Sequence, residues 1–111
     1  MIVYIAGPIT GIPNYRSKFA AAETLLKSMG YIVLSPAWLP DGLDYEAYMR
    51  IDKGMIREAD ALCLLPGWLN SPGTIREVNA FADLGKQEIM ILSKNGSLKT
   101  IQQFARSQNE H

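Results

Sequence analysis

The sequence predicts an α/β fold: a doubly wound parallel sheet of four or five strands inside a three-layer sandwich. Three observations carry that expectation. Short apolar runs rich in β-branched residues alternate with amphipathic stretches of helical period. Glycine and proline cluster at the junctions between them. The 111 residues, 48% of them apolar, suffice for one domain with a real core, so the whole of 1–111 is taken as a single domain.

The elements follow in order. Ile2 to Ala6 reads as a buried strand. Gly7-Pro8-Ile9-Thr10-Gly11-Ile12-Pro13-Asn14 must then be a loop, since two glycines and two prolines in eight residues demand defined backbone angles. Its glycine spacing is not that of a dinucleotide fingerprint. It either lines a pocket, with Gly7 and Gly11 admitting a ligand and Thr10 offering a hydroxyl, or simply joins strand to helix. Tyr15 to Met29 carries Phe19, Ala22, Leu25, Leu26 and Met29 at helical spacing, and Gly30 ends it. Arg16 and Lys18 near its start either reach a phosphate or are merely solvated. Tyr31 to Leu34 is the second strand. The turn-rich run Ser35 to Gly42 holds Trp38, which marks a lid or subunit contact if exposed and ordinary packing if buried.

Tyr45 to Ala59 is the next helix. Asp52 interrupts its apolar stripe of Tyr45, Tyr48, Met49, Met55, Ile56 and Ala59. A carboxylate on a core-facing row is costly unless it is paired, hydrogen-bonded or part of a pocket wall. Both a pocket wall and a buried structural cap fit. Glu46, Arg50, Lys53 and Arg57 fall on the opposite, solvated face. Asp60 reads as a turn residue before the third strand, Ala61 to Leu65. Trp68, just past that strand, either stacks on a flat ligand or packs its own loop.

Asn70-Ser71-Pro72-Gly73-Thr74-Ile75-Arg76-Glu77 leaves the strand and opens a helix running from Gly73 to Gly85. Ligands of open α/β sheets bind at such strand ends, and a helix start favours anions. Glu77 near the first turn is expected to be ionised, either as a catalytic carboxylate or as the partner of a Ser71 cap. Glu88 to Leu92 is the fourth strand. Ser97 to about Ser107 reads as a last helix with Ser97 as its N-cap, followed by a polar, frayed tail from Gln108 to His111. Alternation of strands and helices implies parallel pairing with right-handed crossovers. A sheet order of 2-1-3-4 would bring the Gly7–Gly11 and Pro66–Gly73 loops together.

Lys plus Arg and Asp plus Glu both number 11, so no global field favours polymeric nucleic acid or an anionic membrane. The single cysteine, Cys63, forms no intrachain disulfide and reads as an inert core thiol. One cysteine and one histidine make a zinc site improbable. The opening residues do not resemble a signal peptide, and no apolar run reaches spanning length, so a cytoplasmic protein is expected.

Three motifs carry a resemblance: Tyr4-Ile5-Ala6-Gly7-Pro8-Ile9-Thr10-Gly11, Asp52…Ile56…Ala59-Asp60, and Ser71-Pro72-Gly73-Thr74-Ile75-Arg76-Glu77. In this order the chain resembles the nucleoside 2-deoxyribosyltransferase-like superfamily, whose fold is Rossmann- or flavodoxin-like. The superfamily includes deoxyribosyltransferases and deoxynucleoside 5′-monophosphate N-hydrolases. The N-terminal motif and Leu65-Pro66-Gly67-Trp68 are most like a small branch common in phages and bacteria. The resemblance implies cleavage or transfer of the N-glycosidic bond of a deoxynucleoside or its 5′-monophosphate. By its motifs Glu77 matches the nucleophile, Asp52 the carboxylate that orients or protonates the base, and Tyr4 an aromatic that orients the glutamate. The substrate-binding set it implies is Gly7, Pro8, Ile9, Thr10, Gly11, Ser71 and Gly73, positions around the 5′-phosphate in the monophosphate hydrolases, and Trp68 joins that set as the aromatic that would stack on a flat ligand. It implies no metal or organic cofactor, a small-molecule partner, and a homodimer or higher homo-oligomer. One departure is visible: the monophosphate hydrolases place an arginine in the first loop, where the nearest here is Arg16. A non-catalytic nucleotide-binding or sensor module of the same fold is the alternative.

Overall fold

A computed structural model describes the backbone of residues 1–109 and the side chains of residues 1–108. The described residues form nine strands and α-helices. They are β1 (Ile2–Ala6), α1 (Tyr15–Ser28), β2 (Ile32–Leu34), α2 (Tyr45–Glu58), β3 (Ala61–Leu64), α3 (Pro72–Asp83), β4 (Ile89–Leu92), β5 (Leu98–Thr100) and α4 (Ile101–Asn109). The sheet order is β2-β1-β3-β4-β5. The first four strands pair in parallel, in the expected order.

The core forms in two layers because successive strand residues face opposite ways. Val3 and Ile5 of β1 pack with Phe19, Ala22 and Leu26 of α1. Tyr4 and Ala6 face the other side, with Ile56 of α2 and Phe81 of α3. Cys63 is buried in the first layer, and burial pushes its thiol up to about 12. That thiol is inert at ordinary pH.

The C-terminal part departs from the expected parallel arrangement. The run after β4 is not a helix capped by Ser97. Ser93 and Ser97 close a hairpin turn, with Ser93 N donating to Ser97 O at 2.9 Å, and Leu98–Thr100 returns antiparallel to β4. The helix starts at Ile101, and its cap is Thr100. Thr100 Oγ1 accepts from Gln103 N at 3.1 Å, and Gln103 Oε1 accepts from Thr100 N at 2.9 Å. This reciprocal pair is a capping box that Thr100-Ile101-Gln102-Gln103 spells out. Gln108 belongs to α4, whereas Glu110 and His111 of the expected frayed tail lie outside the described residues.

Two contacts join the strand ends that frame the site. Leu65 N donates to Ala6 O at 2.9 Å, which brings the loops after β1 and β3 together. A Cβ on Gly7 would lie 2.8 Å from Leu65 Cβ, so only glycine fits that crossing. Gly67 has φ 89°, and a Cβ there would lie 3.1 Å from Pro8 Cγ. We expect Gly7→Ala to cost about 1–3 kcal/mol of stability, read as a lowered urea midpoint with an unchanged slope.

The end of α2 is held by a residue that sequence patterning does not single out. Lys86 Nζ donates to the carbonyls of Arg57 and Ala59, each at 2.6 Å, and approaches that of Ile56 at 3.5 Å. An ammonium there satisfies orphan carbonyls at the negative end of the helix. Lys86→Met is expected to destabilise by about 1–2 kcal/mol in the same urea assay. No helix among the described residues is long and apolar enough to cross a membrane.

Candidate active site

Period-2 alternation along β1 sends Tyr4 to the α2–α3 side of the sheet, where it is fully buried. There its hydroxyl donates to Glu77 Oε2. Ser71 caps α3, accepting from Thr74 N at 3.3 Å and from Thr74 Oγ1 at 2.9 Å. Pro72 takes the first helical position, where its missing N–H costs nothing. Thr74 therefore occupies the position a capping carboxylate would need. Glu77 lies one turn further along and is not the partner of that cap.

Asp52 projects from α2 into the same region. Glu77 is 5% and Asp52 6% exposed, which marks both as groups taken out of water at a cost. Burial pushes the Asp52 carboxyl up to about 6, against the pull of Glu77 and Tyr4 as hydrogen-bonding neighbours. Glu77 is raised well above the usual carboxylate range, chiefly by burial. The Tyr4 hydroxyl opposes that rise, and the nearby Asp52 charge adds to it. The expectation of a readily ionised helix-start glutamate is thus overturned. The dipole acts within the first turn, and Glu77 sits beyond it in a dry environment. Burial, ahead of the two acids, also raises the Tyr4 phenol well above 10, so it stays a donor. Two raised carboxyls that influence each other titrate as a pair. Asp52 Oδ1 has no hydrogen-bond partner among the described residues, although it is buried. Unsatisfied buried oxygens of this kind concentrate at functional sites.

An open cleft of about 980 Å³ lies over this cluster, at the upper end of the range for small-molecule sites. Of the residues singled out above, Gly7, Pro8, Ile9, Thr10, Lys18, Asp52, Ser71, Gly73 and Glu77 line it. Tyr4 lies beneath its floor, reaching it through Glu77.

Two expected residues do not line the cleft. Gly11 lies in the turn beyond it, at φ 77°. Trp68 turns to the far side because Gly67 reverses the chain in a left-handed conformation. Its ring packs against Phe104 of α4, with centroids 6.0 Å apart. The ring thus packs between its loop and α4, away from the cleft over Asp52 and Glu77.

Other residues enter that sequence reading had not assigned to a site. Tyr45 and Tyr48 share the helical face of Asp52, seven and four residues before it, and form an aromatic wall. That signal was visible in the stripe. Lys94 enters from the β4–β5 turn, which depends on a hairpin the sequence did not announce. Arg16 is occupied elsewhere: it pairs with Asp41 at 3.1 Å and donates to Leu39 O at 3.1 Å, tying α1 to the loop after β2. Trp38 is 52% exposed, and its indole donates to Glu23 at 2.9 Å. Glu46 is not simply solvated, since it pairs with Arg76 at 3.1 Å. Among the described residues, no group of three or more His, Cys, Asp or Glu side chains is arranged to hold a metal ion.

A family model described as a domain of unknown function, DUF4406, matches residues 1–90. The chain belongs to that family. Solved structures extend the likeness of this DUF4406 chain. A 2-deoxyribosyltransferase from the psychrotolerant bacterium Bacillus psychrosaccharolyticus is 23% identical, with a TM-score of 0.64 over 82% of this chain and 71% of that one. The 2-deoxyribosyltransferase from Leishmania mexicana is 25% identical, with a TM-score of 0.63 over 83% and 65%. A CMP N-glycosidase from Clostridium botulinum is 22% identical, with a TM-score of 0.56 over 82% and 70%. The DUF4406 chain therefore has the flavodoxin-like three-layer fold of the nucleoside 2-deoxyribosyltransferase-like superfamily. It spans about two thirds of the length of the Leishmania protein. Comparison with curated protein sequences yields no match.

Proposed function

We propose that this protein is an enzyme that cleaves or transfers the N-glycosidic bond of a deoxynucleoside or a deoxynucleoside 5′-monophosphate. The observation that carries the proposal is the Tyr4–Glu77 hydrogen bond with Asp52 beside it under one cleft. The similar folds belong to proteins named for deoxyribosyl transfer and for N-glycosidic cleavage, which supports the same bond as the target.

The chemistry needs two carboxyls in different protonation states, as in glycosidases. Glu77 attacks the anomeric carbon as the carboxylate, forming a carbon–oxygen ester bond while the carbon–nitrogen bond breaks. The bonding electrons leave with the base, and the shared proton passes to it through Asp52. Water or a second base then attacks the same carbon, its proton returns to the Asp52–Glu77 pair through Asp52, and the bond to Glu77 breaks with its electrons kept by the carboxylate. Tyr4 holds one Glu77 oxygen, which fixes the orientation of the attacking one. Tyr45 and Tyr48 provide faces against which the base can lie. The resemblance further leads us to expect a homodimer or higher homo-oligomer, which sedimentation equilibrium would measure.

The test incubates purified protein with the natural deoxynucleosides and their 5′-monophosphates, with and without a second base. Free base indicates hydrolysis, and an exchanged nucleoside indicates transfer. Release of neither product, with nucleotide still bound, would leave only a non-catalytic binding module.

A further inference from the structure

The two helices that carry the carboxyls open at the cleft. Tyr45 is the first residue of α2 and Pro72 the first of α3, and both helices pack on the Tyr4 side of the sheet. A half-exposed tyrosine at a helix start has several staggered rotamers open to it, so the direction of its ring depends on what packs against it. Here α3 supplies two contacts. The Arg76 guanidinium lies over the Tyr45 ring, its central carbon 5.3 Å from the centroid. The Tyr45 hydroxyl rests against Gly73, where an added Cβ would lie 3.5 Å from that oxygen. Arg76 is itself held from α2, donating to Glu46 at 3.1 Å. Glu46, Tyr45, Arg76 and Gly73 thus lace the two helix starts together. Tyr45 and Gly73 line the cleft, whereas Arg76 and Glu46 do not, so the guanidinium reaches the cleft wall through the ring it covers. Tyr48, three residues on, is fixed differently. Its hydroxyl donates to Pro40 O at 2.6 Å and accepts from Leu43 N at 3.2 Å.

We infer that Arg76 is a positioning residue: it pins the Tyr45 ring as a fixed wall of the cleft and so sets how tightly the base of the substrate is held. The inference rests on the reaction proposed above, in which Tyr45 and Tyr48 offer their faces to the base. The physical reason is preorganisation. A tyrosine free to swing must be immobilised when a ligand arrives, and that lost freedom is subtracted from the affinity. A cation stacked on the ring immobilises it beforehand, and Glu46 keeps the cation in place. The planar guanidinium suits this task better than an ammonium, because it can lie flat against the ring. A wall that meets the base equally in the ground and transition states acts on KM and leaves kcat alone.

The test combines kcat and KM for the natural deoxynucleosides and their 5′-monophosphates with calorimetric binding of the same molecules to the Glu77→Gln protein, which holds them without turnover. Arg76→Ala is expected to raise KM and the dissociation constant by about five- to tenfold and to leave kcat within about twofold. Arg76→Lys, which keeps a cation over the ring, should recover about half of that loss. Tyr45→Ala should cost at least as much as Arg76→Ala. The double change Tyr45→Ala/Arg76→Ala should be no worse than Tyr45→Ala alone, since the arginine acts through the ring. Lys53→Ala, on the solvated face of α2, should change nothing. Arg76→Gln, which keeps much of the packed stem, repeats the comparison should Arg76→Ala unfold. Unchanged KM and binding in the Arg76 variants, losses that add in the double change, or a fall in kcat with KM unchanged each overturns the inference and leaves the reaction in place. Release of no base by any of the proteins, with Arg76→Ala still weakening binding through Tyr45, does the reverse: the wall stands and the reaction falls. A protein that binds none of these molecules overturns both.

Discussion

Glu77→Gln is expected to lower turnover by about 10³-fold or more while leaving the fold intact. Glutamine has the same shape and can still accept the Tyr4 hydroxyl bond, so the core around it need not move. It cannot form the ester to the anomeric carbon. Glu77 is almost wholly buried and its carboxyl is raised, so removing its capacity to ionise relieves a strain on the fold instead of creating one. Loss of activity with an unchanged or higher melting temperature is therefore the expected signature, measured as single-turnover base release alongside thermal unfolding. A variant that unfolds, or one that retains most of its turnover, would show that Glu77 serves the structure and not the chemistry.

Asp52→Asn separates activity from stability in the same way, and its effect depends on pH. The folded-state value of about 6 lies above the ordinary aspartate value near 3.9. The native protein therefore holds the Asp52 proton more tightly than the unfolded chain does. Stability from this group is full below about pH 4 and is lost as pH rises through about 6. Above that range the ionised group costs about 1–2 kcal/mol, allowing for partial solvent screening. Asparagine carries no such cost. The variant should match the native protein at pH 4 and exceed it by about 1–2 kcal/mol at pH 8 in urea unfolding. Its turnover should fall by about 10²–10⁴-fold, because the proton for the departing base is gone. Equal destabilisation at both pH values would mean that Asp52 is a structural cap.

A stability gain on removing each carboxyl is what a site kept for function predicts. Buried acids that did only structural work would be satisfied by donors, and Asp52 Oδ1 has none among the described residues. The conflict was legible early, because Asp52 breaks an otherwise apolar helical stripe. Its resolution was not. Whether such a residue caps a neighbouring loop or faces a cleft depends on what packs against α2. That is decided by Tyr4 and Glu77, which lie far from it along the chain.

Local periodicity determined most of the fold. The four parallel strands, their order and the meeting of the two glycine loops follow from alternating short apolar runs and amphipathic helices, because each can bury its apolar face in essentially one way. The motifs around Tyr4, Asp52 and Glu77 also belong to what the amino-acid order announced. Tertiary structure alone decided the antiparallel β5, the turning away of Trp68, the engagement of Arg16 with Asp41, and the arrival of Lys94 at the cleft. It also decided that burial raises the Glu77 carboxyl, where helix-start logic favours the charge. The physical reason is common to all of these. Periodicity and capping act within a few residues, whereas desolvation, strand-edge pairing and side-chain partnership depend on groups that only the folded chain brings together.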